Sequence, residues 1–292
     1  MFLFQFIRCK FKITPQHKYS IIEAHYIAYI FGTSLDPHQV LFRRGQRKMD
    51  REDLGTLFPG NEPSDYIMEM MAYKTAWTQP QLPQTTLWSL PVHFSEIVIG
   101  GDVCIERLIS LFKLEWLPRP TNLRYIYVQM KEILQYSKEA HLYLMVVDIQ
   151  NGKIWILDSF ATNDAAKERI LAVNVVVAAL DRVLKDGFPG VNVLGKRPPL
   201  ADWELEFVLG LPNMGNPYKD KIWVLLWLQM EHYFSLASVS QTQKLVDGVA
   251  EKIRLNIGLA LVIEYFNELK VDISKLAVED WEEKRKASAA CR

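Results

Sequence analysis

His141 and Asp158 are the two residues of this chain whose types and positions best fit a chemical role. His141 opens the apolar segment His-Leu-Tyr-Leu-Met-Val-Val-Asp, and Asp158 directly follows Lys-Ile-Trp-Ile-Leu. A histidine and an aspartate that meet across two paired strands form the base and the orienter of a nucleophilic triad. Whether the chain is an enzyme therefore depends on a nucleophile beside these two side chains.

Two strands joined by a tight turn are predicted between His141 and Asp158. Residues 142–149 are almost continuously apolar, which is typical of a central strand covered on both faces. Asn151-Gly152 is a strong hairpin signal, and residues 153–157 follow it as the second strand. The hairpin would bring the histidine and the aspartate to the same end of a sheet.

Further elements surround this predicted hairpin. Residues 123–128 alternate in polarity and residues 204–209 are β-prone, so both predict strands. The apolar run of 165–185 predicts a covering helix, and another helix is predicted to begin at Asp220. The fold class is therefore α+β, with a central mixed sheet flanked by helices.

The chain divides into three predicted parts. Residues 1–50 show no sustained periodicity and are interpreted as a poorly defined leader. Residues 51–236 form the α+β domain, in which the proline-bearing segment 79–91 is predicted to be a loop. Residues 237–292 form a helical C-terminal extension, with one amphipathic helix at about 243–270 and a solvated charged tail after it.

Composition excludes several classes of function. Thirty-four basic residues balance 34 acidic ones, so net charge gives no argument for a nucleic-acid partner. No apolar stretch reaches the roughly 18 residues of a membrane span. The three cysteines, Cys9, Cys104 and Cys291, have no metal-site or disulfide spacing, so we expect an intracellular protein, nuclear or cytoplasmic, without a metal or other cofactor.

A local basic cluster is the exception to this balance. Five basic residues lie close together around the end of the predicted leader: Arg43, Arg44, Arg47, Lys48 and Arg51. Such a cluster is typical of a solvated linker or of a targeting signal.

Four segments, in this order along the chain, resemble the ubiquitin-like-protein-specific proteases, the SUMO proteases, and most of all their transposon-associated relatives in plants. They are residues 53–67, residues 125–128, the segment from His141 to Asp158, and residues 207–230. The resemblance implies a papain-like or adenain-like cysteine protease fold and the activity of a cysteine-type peptidase on ubiquitin-like modifiers. It also implies a SUMO-type modifier, or its conjugates, as the partner. From net charge and hydropathy we expect no nucleic-acid partner and no membrane.

The nucleophile position departs from this family. In the family, a cysteine at the N-terminus of the last helix attacks the substrate, and an upstream glutamine stabilises the oxyanion. With Ile222-Trp223-Val224 in register, the cysteine position falls on Asp220 and the glutamine position on Met214. A carboxylate is a poor nucleophile toward an amide, and a thioether donates no hydrogen bond to an oxyanion. The resemblance therefore implies a catalytically degenerate peptidase.

The substrate clamp also departs from the family, which holds the di-glycine tail of the modifier between two tryptophans. The two positions are Leu142 and Glu62 here. Two alternatives therefore stay open beside the degenerate peptidase. One is a non-catalytic binding module for a ubiquitin-like modifier, and the other is a transposon-derived remnant without a selected function.

Each of these residues also has a purely structural interpretation. His141 can be a hydrogen-bonded histidine at a strand end, and Asp158 can cap the turn that follows it. Asp220 can serve as a helix N-cap, which typically contributes about 1 kcal/mol. The stripe formed by Trp223 and Trp227 is typical of a buried helix face.

Cys104 provides one further alternative. It lies near a predicted helix start and precedes His141 and Asp158, which gives the Cys, His, Asp order of a papain-like enzyme. The register with the SUMO proteases places the nucleophile helix elsewhere.

Overall fold

The computed structural model of the protein describes residues 10–11, 18–78, 86–101, 104–133, 140–160, 163–211, 220–230, 239 and 249–290. The chain forms two compact units. One, here called the terminal unit, comprises residues 1–67 and 246–292, and the other, the sheet unit, comprises residues 68–245. The predicted boundaries at residues 50 and 236 stay predictions.

The helices are α1 (Ile21–Ile30), α2 (Arg51–Gly55), α3 (Asp65–Thr78), α4 (Val92–Gly100), α5 (Ile105–Phe112), α6 (Asn163–Gly187), α7 (Asp220–Leu228), α8 (Val249–Ile263) and α9 (Lys270–Ala290). The strands are β1 (Val40–Arg44), β2 (Arg47–Asp50), β3 (Leu87–Leu90), β4 (Tyr125–Ile133), β5 (Ala140–Asp148), β6 (Lys153–Leu157) and β7 (Glu204–Phe207).

The segment predicted to be a poorly defined leader contains regular structure. A capping box begins α1, because the Ser20 side chain accepts from the Glu23 N–H while the Glu23 carboxylate accepts from the Ser20 N–H. β1 and β2 then pair as an antiparallel hairpin. The capping signal is local, but α1 is apolar on most faces, so it has no amphipathic period that sequence reading could find.

Arg51 differs from the expectation of a solvated basic cluster, since only 6% of its surface is exposed. Its Nη1 donates to the main-chain oxygens of Tyr29 and Ile30 at the end of α1, and its Nε donates to Asp36 O at 3.0 Å. The guanidinium thus satisfies carbonyls that the helix end leaves without partners.

The C-terminal helix predicted at 243–270 is interrupted. α8 ends at Ile263 and α9 begins at Lys270, with Asn267 between them. The Asn267 amide donates to Val262 O at 2.7 Å, and its oxygen accepts from the Leu269 N–H at 3.0 Å. The tail expected to be solvated lies within α9, where Trp281 is buried.

The sheet unit is built on a five-stranded mixed sheet in the order β3-β4-β5-β6-β7. β4, β5 and β6 are antiparallel neighbours, while β3 and β7 run parallel to β4 and β6 at the two edges. β5 is buried at every residue after Ala140, as predicted for a central strand. Gly152 has a φ of 68° in the turn before β6, a conformation that glycine adopts without steric cost.

β3 lies in the segment predicted to be a loop. It pairs in parallel with β4 from Leu87 opposite Tyr125 to Leu90 opposite Val128. Pro91 follows the strand and stands at the N-cap of α4, so the proline ends the strand rather than interrupting it.

Helices cover this sheet. α4 contacts β4, α7 contacts β5, and α6 contacts α4 and α5. The tryptophan stripe of α7 is part of the core, since Trp227 is fully buried and Trp223 is 6% exposed. Within the described residues, no helix is long and apolar enough to cross a membrane.

Candidate active site

The β4-β5-β6 ladder brings the predicted histidine and aspartate together. His141 is the second residue of β5 and lies opposite Glu132 of β4. Asp158 directly follows β6, whose last residue, Leu157, pairs with Leu144 of β5. His141 Nε2 and Asp158 Oδ1 are 2.9 Å apart, which is a hydrogen-bond distance.

The other nitrogen of His141 faces the start of α7. Its Nδ1 is hydrogen-bonded to Oδ2 of Asp220, the first residue of that helix. The imidazole therefore lies between two carboxylates, one at each ring nitrogen. The side chains of all three residues are at most 1% exposed.

Asp220 uses its second carboxylate oxygen as well. Oδ1 accepts a hydrogen bond from Ser159 Oγ at 2.6 Å, and Ser159 is 1% exposed. Both oxygens thus contact side chains of the site, which differs from the interpretation of Asp220 as a helix N-cap. The carboxylate still lies in the first turn of α7, where the helix dipole favours a negative charge.

Arg169 of α6 completes the cluster and is 1% exposed. Its Nη1 donates to Asp158 Oδ2 and, at 3.0 Å, to Phe160 O. Its Nε donates to Glu132 Oε2 at 2.8 Å. The guanidinium therefore connects the residue opposite His141 with the residue that accepts from His141.

The charges of the cluster shift its titrations. Burial opposes a charge on His141, but hydrogen bonds to Asp158 and Asp220 outweigh it and raise the pKa of the imidazole. Burial would raise the pKa of Asp158, but the hydrogen bond to His141 and the charges of His141 and Arg169 lower it. Burial raises the pKa of Asp220.

These shifts define where the protons lie. Asp158, with its lowered pKa, is an acceptor, so His141 Nε2 carries a proton and donates it. The raised pKa of His141 favours the imidazolium, in which Nδ1 also donates, to Asp220 Oδ2. The site thus holds an imidazole whose two nitrogens are both occupied by fixed partners.

The chemistry available to this arrangement is limited. Nδ1 of His141 would serve as the base for a nucleophile at position 220, but a carboxylate occupies that position. Attack of a carboxylate on an amide would give an anhydride, which is a high-energy intermediate. The Ser159 hydroxyl is buried, and its proton is directed at Asp220. Among the described residues, the hydrogen-bond partners of the two His141 nitrogens are therefore both carboxylates, and neither is a thiol.

The structure places the remaining predicted residues as follows. Leu142, at a predicted clamp position, is 1% exposed in β5. Glu62, at the other, is exposed and belongs to the terminal unit. Met214 lies outside the described residues. Cys104 is exposed at the N-cap of α5, and it is not among the described contacts of His141.

Sequence reasoning missed Glu132, Ser159 and Arg169. Arg169 lies in the predicted covering helix of residues 165–185, in which Lys and Arg occur at intervals, and nothing in its spacing distinguishes it from the others. Ser159 could have been considered, because it directly follows the orienter Asp158. Glu132 lies beyond the predicted strand 123–128, since β4 continues to Ile133.

No protein-family model and no curated protein matches this chain. Solved structures of SUMO proteases do match. The C-terminal Ulp1 protease domain in complex with Smt3, the yeast ortholog of SUMO, has a TM-score of 0.56 at 15% identity, over 83% of this chain and 95% of that chain. Ulp1 with its catalytic cysteine oxidised to a sulfenic acid has a TM-score of 0.56 at 16% identity, over 87% and 97%.

A third structure extends the likeness. The catalytic domain of the Ulp1-like SUMO protease from Chaetomium thermophilum has a TM-score of 0.52 at 16% identity, over 86% of this chain and 89% of that chain. The predicted α+β cysteine protease fold, with a mixed central sheet and flanking helices, is thus confirmed. This chain has the fold of the Ulp1-like SUMO proteases.

Proposed function

We propose that this chain is a catalytically degenerate SUMO-type protease. It keeps the base and the orienter of a cysteine peptidase that acts on ubiquitin-like modifiers, and it does not hydrolyse them. The hydrogen bond between Asp220 and His141 Nδ1 supports this proposal, because a nucleophile served by that imidazole would need the same position.

The substitution at position 220 removes the first step of the reaction. A cysteine at the start of a helix, beside an imidazolium, is a thiolate at neutral pH because both the helix dipole and the cation lower its pKa. Asp220 occupies the same surroundings as a carboxylate and reproduces the charge of that thiolate. The ion pair of the resting enzyme is therefore kept while its nucleophilicity is lost.

Burial supports the same proposal. His141 is 0% exposed and Asp220 is 1% exposed, so their contact is shielded from water and is an ion pair that the fold maintains. The oxyanion position is a second loss, because Met214 would replace a glutamine donor. Removing one such donor typically lowers the rate about 10²- to 10³-fold.

The proposed partner is a SUMO-type modifier or a conjugate of it. Support comes from the similar Ulp1 domain, which was solved in complex with Smt3. This observation also favours the second candidate function, a module that binds a ubiquitin-like modifier without cleaving it. Leu142 and Glu62 at the clamp positions would weaken that binding, because neither provides the flat aromatic surface of a tryptophan.

A transposon-derived origin, with relatives in plants, and a nuclear or cytoplasmic location belong to the same proposal. Their support is the sequence resemblance and the cysteine content. A remnant without a selected function would have the same degenerate site.

Hydrolysis of fluorogenic SUMO and ubiquitin substrates tests the proposed degeneracy. We expect no turnover by the unaltered chain and measurable turnover by the double variant Asp220→Cys with Met214→Gln. Adding His141→Ala to that double variant provides the matched control and should abolish the recovered activity. Turnover by the unaltered chain would overturn the proposal, while an inactive double variant would contradict the assigned register.

Binding of SUMO and of ubiquitin to the immobilised unaltered chain tests the partner. Saturable binding of SUMO that exceeds binding of ubiquitin would support the partner. Absence of binding to both would rule out the binding module.

A further inference from the structure

We propose that Arg169 is a positioning residue of this site, which acts through Asp158 to fix the direction of the His141 imidazole. The proposal rests on the proposed function only in taking position 220 as the one that His141 serves. Arg169 is not one of the residues that the sequence analysis indicated for catalysis or substrate binding.

The two oxygens of Asp158 have separate partners. Oδ1 accepts from His141 Nε2 at 2.9 Å and from the Phe160 N–H at 2.8 Å. Oδ2 accepts from Arg169 Nη1. Among the described contacts, Arg169 is the only partner of Oδ2, and it therefore sets the plane of the carboxylate. Without Arg169, a buried carboxylate oxygen would lose its donor and the carboxylate could rotate away from His141.

The guanidinium also holds the residues on either side of His141. Its Nε donates to Glu132, which lies opposite His141 in the β4-β5 ladder. Its Nη1 reaches the main-chain oxygen of Phe160, just beyond Asp158. A lysine ammonium has no fixed planar fork, so it cannot keep this set of directions.

Tyr143 connects the same guanidinium to the imidazole. The centre of the Arg169 guanidinium lies 5.6 Å from the centroid of the Tyr143 ring. The rings of Tyr143 and His141 are stacked, with their centroids 5.9 Å apart. Tyr143 and His141 are alternate residues of β5 and project from the same face of the strand. Removing Arg169 would therefore disturb both the acceptor of His141 and its ring neighbour.

The electrostatic balance of the cluster points in the same direction. Three carboxylates, those of Asp158, Asp220 and Glu132, surround two cations, His141 and Arg169. A buried carboxylate that loses its cation becomes protonated and then ceases to be a good acceptor. Arg169 thus adds to the effect of His141 in keeping Asp158 ionised, and the ionised carboxylate holds the Nε2 proton of His141.

Imidazole NMR of the unaltered, full chain tests this inference independently of any activity. The Nε2 proton of His141 should give a downfield signal that exchanges slowly with water. In Arg169→Met, that exchange should be about tenfold faster or more, since a hydrogen bond to a charged group is lost. Arg169→Lys should give an intermediate rate, because it restores the charge but not the fork.

A control on the same helix separates positioning from the mere presence of a charge on α6. Arg182 is 60% exposed, and Arg182→Met should leave the His141 signal unchanged. A folded Arg169→Met or Arg169→Lys variant whose Nε2 proton exchanges at the unaltered rate would overturn the inference. If Arg169→Met does not fold, the Arg169→Lys spectrum alone decides between these outcomes.

Kinetics in the Asp220→Cys, Met214→Gln background provide the second readout. Arg169→Lys should lower kcat about 10- to 100-fold with little change in KM, as expected when a catalytic group is misplaced. An unchanged kcat would contradict the inference. If that background has no activity, the proposed function fails, and the NMR result still decides the role of Arg169.

Discussion

Arg169 in the sheet unit and Arg51 in the terminal unit are both buried guanidinium groups, but they are satisfied in different ways. Arg51 donates to main-chain oxygens, including Ile30 O at 2.9 Å. Arg169 donates to two carboxylates, those of Asp158 and Glu132. Both groups avoid the cost of an unpaired buried charge, and only one of them does so with groups that titrate.

The partners of the two guanidinium groups differ in whether they titrate. Main-chain carbonyls and the Gln39 side-chain amide are neutral, so the hydrogen bonds of Arg51 join the end of α1 to Asp36 and Gln39 without involving a titrating group. Carboxylates change charge with pH and with their neighbours, and around Arg169 they also hold an imidazole. The cluster around Arg169 therefore consists of buried groups whose charges depend on one another.

Removing His141 should have the largest effect on the free energy of unfolding. His141→Ala leaves Asp158 and Asp220 buried without the cation between them, and we expect a loss of about 3–5 kcal/mol in the free energy of unfolding. Urea unfolding of the unaltered chain and the variant measures it. His38, whose side chain is 74% exposed, provides the control, and His38→Ala should change stability by less than about 0.5 kcal/mol. Equal effects of the two substitutions would refute this prediction.

Replacing Arg51 tests the buried guanidinium whose partners are neutral. Arg51→Met leaves buried carbonyls without a donor, and we expect a loss of about 2 kcal/mol. The loss should be the same from about pH 5 to about pH 9, because neutral partners do not titrate in that range. Urea midpoints across this range measure it, with the exposed Arg43→Met as the control. A loss that varied with pH would show that carboxylates contribute to the burial of Arg51.

Replacing the carboxylate at position 220 tests the cluster whose groups titrate. Asp220→Asn removes a charge that raises the pKa of His141, so the pKa of His141 should fall. Each pKa unit of this fall corresponds to about 1.4 kcal/mol of lost interaction with the imidazolium. A raised histidine pKa contributes stability that is complete below the unfolded value of about 6.5 and is lost as pH rises through the folded value. The stability advantage of the unaltered chain should therefore be greater near pH 6 than near pH 9.

NMR titration of His141 and urea midpoints at the two pH values measure this effect. Asp186 is 40% exposed, and Asp186→Asn should leave the pKa of His141 where it is. An advantage that grew with rising pH would have the wrong sign for a raised histidine pKa.

Ser159→Ala should have the smallest effect. The hydroxyl donates one hydrogen bond to Asp220 Oδ1, and its loss should cost about 1 kcal/mol in the free energy of unfolding. Urea unfolding of the unaltered chain and of the variant, measured side by side, detects a change of this size. No measurable loss would indicate that another donor replaces the hydroxyl.

The sequence was sufficient for the central part of the fold. β5, the turn at Asn151-Gly152 and β6 have strong local signals, and the structure has all three. β3 was missed because it has only four residues and lies in a segment with three prolines. It is a strand because it pairs in parallel with β4, and that pairing has no local sequence signal. α1 was missed because its apolar residues have no one-sided period.

The site was only partly predictable for a different reason. His141 and Asp158 are close to one hairpin, so local pattern and strand geometry suffice to bring them together. Arg169 joins them from a 25-residue helix, and its direction depends on how α6 lies on the sheet unit. Contacts of that kind are set by tertiary packing, and charge alone does not mark the inward-facing arginine among the others.

The uninterrupted pairing of β4, β5 and β6 makes the site depend on the parity of residue numbers. Leu144 and Leu157 are partners and share a face, so His141, three residues earlier, and Asp158, one residue later, both project from the opposite face. A deletion or insertion of a single residue within β6 would turn Asp158 away from His141. The ladder therefore ties the site to the length of β6, whatever residue stands at position 220.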